Sequence, residues 1–171
     1  MAICLFSVTA NAKKNQKALV AYFSATNFTK GKAETLSKLI GADLYRITPA
    51  QPYTQEDLKW TDNNSRTSKE MRDMNSRPAI VKDLQDIDKY STVYLGFPIW
   101  WYVAPPVIST FLDTYDLSGK TIVIFVTSGG ATPEKALNQL KEQYPKLNFK
   151  KAELVNTATI KDLKHLAKYA K

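Results

Sequence analysis

Ser24, Thr26 and Thr29 place three hydroxyls within six residues, with Asn27 between them and no acid among them. They stand where the apolar run "KALVAYF" (Lys17–Phe23) gives way to the helical pattern of "TKGKAETLSKLI". A helix start presents free backbone N–H groups and the positive end of the helix dipole, so it takes up phosphate readily. Hydroxyls around it add neutral donors, which would hold a terminal phosphate without a metal. The bland reading is that Thr26 or Thr29 caps the helix. Capping needs one hydroxyl, and three leave a surplus.

Two further stretches have the same placement after an apolar strand. "TVYLGF" leads into Pro98, Ile99, Trp100, Trp101 and Tyr102, and "TIVIFV" leads towards Ser128, Gly129 and Gly130. Three successive aromatics cannot all enter one core from a loop. Flat rings at a strand end suit a planar ligand, the alternative being one Trp in the core and another covering it. The Ser-Gly-Gly stretch lets backbone approach a ligand closely, or is a plain turn before a helix capped at Thr132. Together the three loops describe a ligand with a phosphate at one end and a large flat ring at the other, and flavin mononucleotide (FMN) fits that description.

The elements that must position these loops are legible as patterns. Near-continuous apolar runs read as strands buried on both faces, hence a parallel sheet covered by helices. "ADLYRI" (Ala42–Ile47) and "KKAELV" (Lys150–Val155) alternate, as edge strands do. Apolar residues recur at helical spacing in Ala33–Ile40, closed by Gly41, in Pro106–Tyr115, in Ala136–Tyr144, and after Thr159. In the last of these, Ile160, Leu163, Ala167 and Ala170 are expected to face inward and the lysines outward. The polar segment from Gln51 to Pro78 reads as loop with one or two exposed helices, anchored by Trp60, Met71 and Met74. Strand and helix alternate five times, which implies a doubly wound α/β sandwich whose ligands bind beyond the carboxyl ends of the central strands.

With 171 residues the chain suits one domain. Its charge of +8 comes mostly from scattered lysines without an aromatic or arginine-rich reader pattern, which argues against nucleic-acid binding. No apolar stretch approaches the ~20 residues of a membrane span. The only cysteine is Cys4, and no metal site is expected. Neither the glycine spacing of a P-loop nor that of a nicotinamide-binding turn is present. The carboxylates of a phosphoreceiver site are absent too, since Ser24 and Pro98 stand at the strand ends.

From about Lys17 to Lys168 the chain resembles flavodoxin-like proteins. "YFSATNFTKGKAE" is similar to the family's phosphate loop, "LGFPIWWYVAPPVISTFLD" to a bacterial subgroup, and "VTSGG" to the third flavin-binding loop. The resemblance implies a five-stranded parallel sheet in the order 2-1-3-4-5 and noncovalent FMN. It places phosphate on Ser24, Thr26 and Thr29, beside Asn27 and Phe28. The ring lies against Pro98, Ile99, Trp100, Trp101 and Tyr102, with Ser128, Gly129 and Gly130 near its pyrimidine side. Asn27 stands where the family has Gly, and Asn tolerates positive φ.

The implied activity is electron transfer through the flavin, with no catalytic side chain of the protein's own. The alternative is an FMN-dependent NAD(P)H:quinone-type reductase, for which Tyr102 is the better proton-donor candidate and His165 a surface residue. The positive charge, with Lys30 and Lys32 beside the phosphate loop, suggests an acidic redox partner protein. Residues 1–16 read as a leader before the domain at 17–171. "MAICLFSV" followed by Ala10-Asn11-Ala12 resembles an export signal lacking its basic start, which would make the protein periplasmic. Otherwise these residues are a frayed leader or an extra edge strand of a cytoplasmic protein.

Overall fold

The computed structural model describes residues 17–169. The leader and Ala170 lie outside them. In chain order the elements are β1 (Lys17–Tyr22), α1 (Phe28–Ile40), β2 (Asp43–Arg46), α2 (Arg66–Arg72), β3 (Tyr90–Pro98), α3 (Pro106–Thr114), β4 (Thr121–Thr127), α4 (Pro133–Gln143), β5 (Asn148–Leu154) and α5 (Ile160–Leu166). The five strands form one parallel sheet in the order β2-β1-β3-β4-β5, the expected flavodoxin-like arrangement. Among the described residues no helix is long and apolar enough to cross a membrane.

The unbroken apolar runs of β1, β3 and β4 follow from their burial on both faces. On one face Leu19, Ala21, Leu95, Phe97, Ile124 and Val126 meet Val107, Ile108 and Phe111 of α3 and Ala136 and Leu140 of α4. On the other, Val20, Tyr22, Tyr94, Val123 and Phe125 meet Ala33 and Leu36 of α1 and Leu163 and Leu166 of α5. Gly41 closes α1 at φ 64°, a left-handed conformation that glycine adopts without steric penalty.

Two sequence expectations change. Ile160 is 58% exposed while Leu166 is fully buried, so the inner stripe of α5 runs through Leu163 and Leu166. The helix start, held by the Thr159–Asp162 capping box, projects Ile160 past the edge of its neighbours. At the other end of the helix the Tyr94 hydroxyl donates to the Leu166 carbonyl (2.9 Å) and Thr92 to that of Tyr169 (3.0 Å). These bonds satisfy carbonyls that a helix end leaves free. In the segment between β2 and β3, Trp60 is 71% and Met74 53% exposed, so neither is an anchor. Ser65, Thr67 and Ser68 are buried instead, because hydrogen bonds hold this segment where apolar packing is scarce.

Gly96, in the middle of β3, has a packing role. A Cβ at this position would overlap the ring of Phe125 on the neighbouring strand. Gly96→Ala is therefore expected to lower the unfolding free energy by about 1–3 kcal/mol, the usual range for overpacking, as read from urea denaturation. Combining it with Phe125→Leu should recover part of the loss, and strict additivity of the two substitutions would refute the overlap.

Candidate functional site

Parallel registry brings the three loops to one end of the sheet. Tyr22 pairs with Gly96, and Gly96 with Phe125, so the chain leaves β1, β3 and β4 at nearly the same level. The Phe23 N–H continues the ladder to the Gly96 carbonyl (2.9 Å), and the Ile99 N–H reaches the Thr127 carbonyl (2.8 Å).

In the first loop Asn27 is the N-cap of α1 at φ 65°, and its side chain makes no capping bond. The Gly-like turn survives on asparagine, and the N–H groups of the first turn keep their dipole end uncapped. Ser24 is 3% exposed, and its hydroxyl has no hydrogen-bond partner among the described residues. A buried polar atom left so costs about 1–3 kcal/mol. Thr26 is exposed. Thr29 is buried, and its hydroxyl lies 2.8 Å from that of Thr127 at the end of β4. Of the three expected hydroxyls, one is buried and unpartnered, one faces solvent, and one links the first loop to the third. Thr127 is a site neighbour that the sequence patterns did not single out.

The second loop is a tight turn. Trp100 and Val103 exchange backbone hydrogen bonds (3.1 and 3.0 Å), and the central residues Trp101 and Tyr102 have φ of 44° and 72°. Two positive φ values are those of a type I′ turn, normally Asn-Gly. Bulky residues there are strained, at roughly 1–3 kcal/mol each. Trp100 turns inward, packing edge-on against Phe23 (5.6 Å) and Tyr53 (5.4 Å). Trp101 is 42% and Tyr102 58% exposed, and the Lys135 ammonium sits 4.7 Å from the Tyr102 ring centre.

The third loop is clamped from β5's side. The Ser128 N–H donates to Asn156 Oδ1 (2.9 Å), and the Asn156 amide donates back to the Ser128 carbonyl. The Ser128 hydroxyl accepts from the Gly130 (3.1 Å) and Ala131 (2.7 Å) N–H groups. Gly129 and Gly130 are exposed and border open space. Neither needs positive φ, so what glycine supplies here is clearance.

Between the second and third loops lies a cleft of about 460 Å³, bounded by Ile99, Trp100, Trp101, Tyr102 and Gly129, and the hydroxyls of the first loop stand outside its lining. Its remaining walls, Leu58, Trp60 and Thr67, come from the polar segment and were missed as site residues. Their only sequence signal was aromatics stranded in a polar stretch. Tyr53 fastens that segment. Its hydroxyl donates to Glu70 (2.6 Å), which also pairs with Arg66 (2.6 Å), and the Arg66 guanidinium covers the Tyr53 ring at 4.1 Å. Burial first, and the Glu70 carboxylate second, push the Tyr53 hydroxyl far above the ordinary tyrosine range, so it stays a donor at any physiological pH.

Other candidates lie elsewhere. His165 sits on exposed α5 near Glu153 and Lys168. Lys30 pairs with Glu34 (3.7 Å), and Lys32 donates to the Ala158 carbonyl (3.3 Å).

A family model described as flavodoxin matches residues 17–169. Among solved structures, a protein of Bacteroides eggerthii described as a flavoprotein is 45% identical, with a TM-score of 0.87 over 90% of this chain and 97% of that one. One from Bacteroides uniformis is 42% identical, with a TM-score of 0.86 over 90% and 98%. A Lactobacillus acidophilus flavoprotein solved in complex with FMN shares the fold at 22% identity, with a TM-score of 0.72 over 91% and 99%. Among curated proteins none matches the chain.

Tyr53→Phe keeps the ring contacts and removes the bond to Glu70. A hydrogen bond to a charged group contributes about 1.5–3 kcal/mol, so chemical denaturation should show a loss near the lower end. Tyr53→Ala, which also strips the support of Trp100, is expected to lose about 3–5 kcal/mol. Equal stability of the parent and the Phe variant would remove Glu70 from the anchor.

Proposed function

The chain belongs to the flavodoxin family, and we propose that it holds FMN noncovalently and carries electrons through it. The observation that carries this reading is the Ser24 hydroxyl, buried and unpartnered beside an uncapped helix start. A phosphate there would supply the missing acceptor. In this reading Ser24, Thr26 and the first N–H groups of α1 hold the phosphate, and Thr29 contributes while bound to Thr127. Trp100, Trp101, Tyr102 and the Ser128–Gly130 backbone enclose the ring and exclude water from it. When bound, the flavin supplies the one- and two-electron chemistry.

The partner reading is an acidic redox protein. It rests on the net charge of +8, on Lys32, whose bond to a neutral carbonyl leaves its charge intact, and on Lys135 over the exposed Tyr102 ring, while Glu34 offsets the charge of Lys30. The reductase reading finds support in a second, smaller cleft beside the first. One experiment separates the two. A carrier with an acidic partner passes electrons faster to an acidic acceptor protein than to a basic one, and added salt removes the difference, since exposed charges more than about 8 Å apart are largely screened at physiological ionic strength. Consumption of NAD(P)H with a quinone and no added partner protein would favour the reductase instead.

Ser24→Ala tests the phosphate site by two readouts of opposite sign. The flavin-free protein should be unchanged or up to about 1 kcal/mol more stable, because an unsatisfied buried group is removed. FMN affinity, followed by quenching of flavin emission, should fall by about 1.5–3 kcal/mol, the worth of a charged hydrogen bond. Unaltered affinity takes Ser24 out of the site.

A further inference from the structure

Trp60 and Trp101 border two clefts at once. Beyond the first lies a second of about 250 Å³, completed by Asn63, Ser68, Met71 and Arg72. Its polar wall has unused donors. Arg72 gives one N–H to the Asn63 carbonyl (2.7 Å), and among the described residues no carboxylate forms an ion pair with it. Ser68 is 5% exposed and accepts from the Ser65 hydroxyl (2.9 Å), while its own O–H has no acceptor among the described residues.

The loop that holds Trp60 out in solvent is tied down on both sides. The Thr67 hydroxyl and N–H both donate to the Asp57 carbonyl (2.6 and 3.1 Å), and Arg72 secures Asn63. A 71% exposed Trp on a loop so firmly fixed is poorly explained by stability, because the ring gains little burial for the ordering it requires.

We propose that this second cleft, between Trp60 and Trp101, is a binding site for a small planar aromatic anion such as an aromatic carboxylate or an ionised hydroxyquinone. The two indoles offer flat apolar surface. The guanidinium of Arg72 matches a planar anionic group through its forked donors, and Ser68 adds a neutral one. The volume falls below the roughly 300–1,000 Å³ of drug-sized sites, which limits the ligand to one or two fused rings. The site adjoins the cleft assigned above to the flavin ring, and the inference rests on that reading only for what fills the first cleft.

The test uses the full chain saturated with FMN and calorimetric titration with three probes: 2-naphthoate, the uncharged 2-naphthamide, and the non-planar cyclohexanecarboxylate. Naphthoate is expected to bind about tenfold more tightly than naphthamide, as a charged hydrogen bond implies, and cyclohexanecarboxylate to bind weakly or not at all. Arg72→Gln should erase the preference for naphthoate over naphthamide, because Arg72 borders the second cleft. Trp60→Leu should weaken both naphthalene ligands alike. Equal binding of naphthoate and naphthamide, an undiminished preference in Arg72→Gln, or release of FMN by naphthoate would each overturn the proposal. Failure to take up FMN at all would instead sink the flavin reading. The same naphthoate-to-naphthamide ratio, measured on the flavin-free chain, would then decide the second cleft by itself.

Discussion

The parallel register of three buried strands is the constraint on which the rest of this protein depends. Because Tyr22, Gly96 and Phe125 stand side by side, three loops of unrelated sequence leave the sheet at one level. That register has little freedom. Residues 19–22, 92–97 and 122–127 are all buried, and a shift by one position would exchange the two faces of the core. Gly96 tightens the constraint further, since the Phe125 ring occupies the space its side chain would need.

On that platform the loops are held by a few specific bonds. Thr29 and Thr127 join the first loop to the third, and Asn156 braces the third against the end of β5. The first loop has a helix start without a side-chain cap and a buried hydroxyl with no partner among the described residues. In the reading proposed above, a bound phosphate would meet the free N–H groups of the helix start and supply the partner that Ser24 lacks among the described residues.

The aromatic side of the cleft stores strain. Trp101 and Tyr102 occupy backbone conformations better suited to Asn and Gly, and the turn keeps both rings outside the core. Trp100, one residue earlier, is locked inward between Phe23 and Tyr53. The Tyr53–Glu70–Arg66 cluster thus supports the cleft from beneath and fixes the polar segment that supplies Trp60 to its wall. Strain and anchoring together hold flat rings where apolar burial alone would not leave them.

The doubly wound α/β architecture and the three strand-end loops were legible in the pattern of residues. Short apolar runs without alternation read as strands covered on both sides, and their order along the chain with intervening helices admits few topologies. The concentration of hydroxyls after β1 and of aromatics after β3 was visible as composition at strand ends. How each of those residues is placed follows from long-range packing. Three hydroxyls at similar spacing became a buried orphan, an exposed group and a cross-link, because their separate orientations depend on where β4 ends. Trp60 looked like an anchor because large apolar side chains usually are. It stands exposed because hydrogen bonds from Thr67 and Arg72, set by the packing of α2, hold its loop away from the core. Long-range contacts of this kind leave no periodic trace in a sequence. The strands and the places of the loops after them were therefore legible, while the walls of the cleft were not.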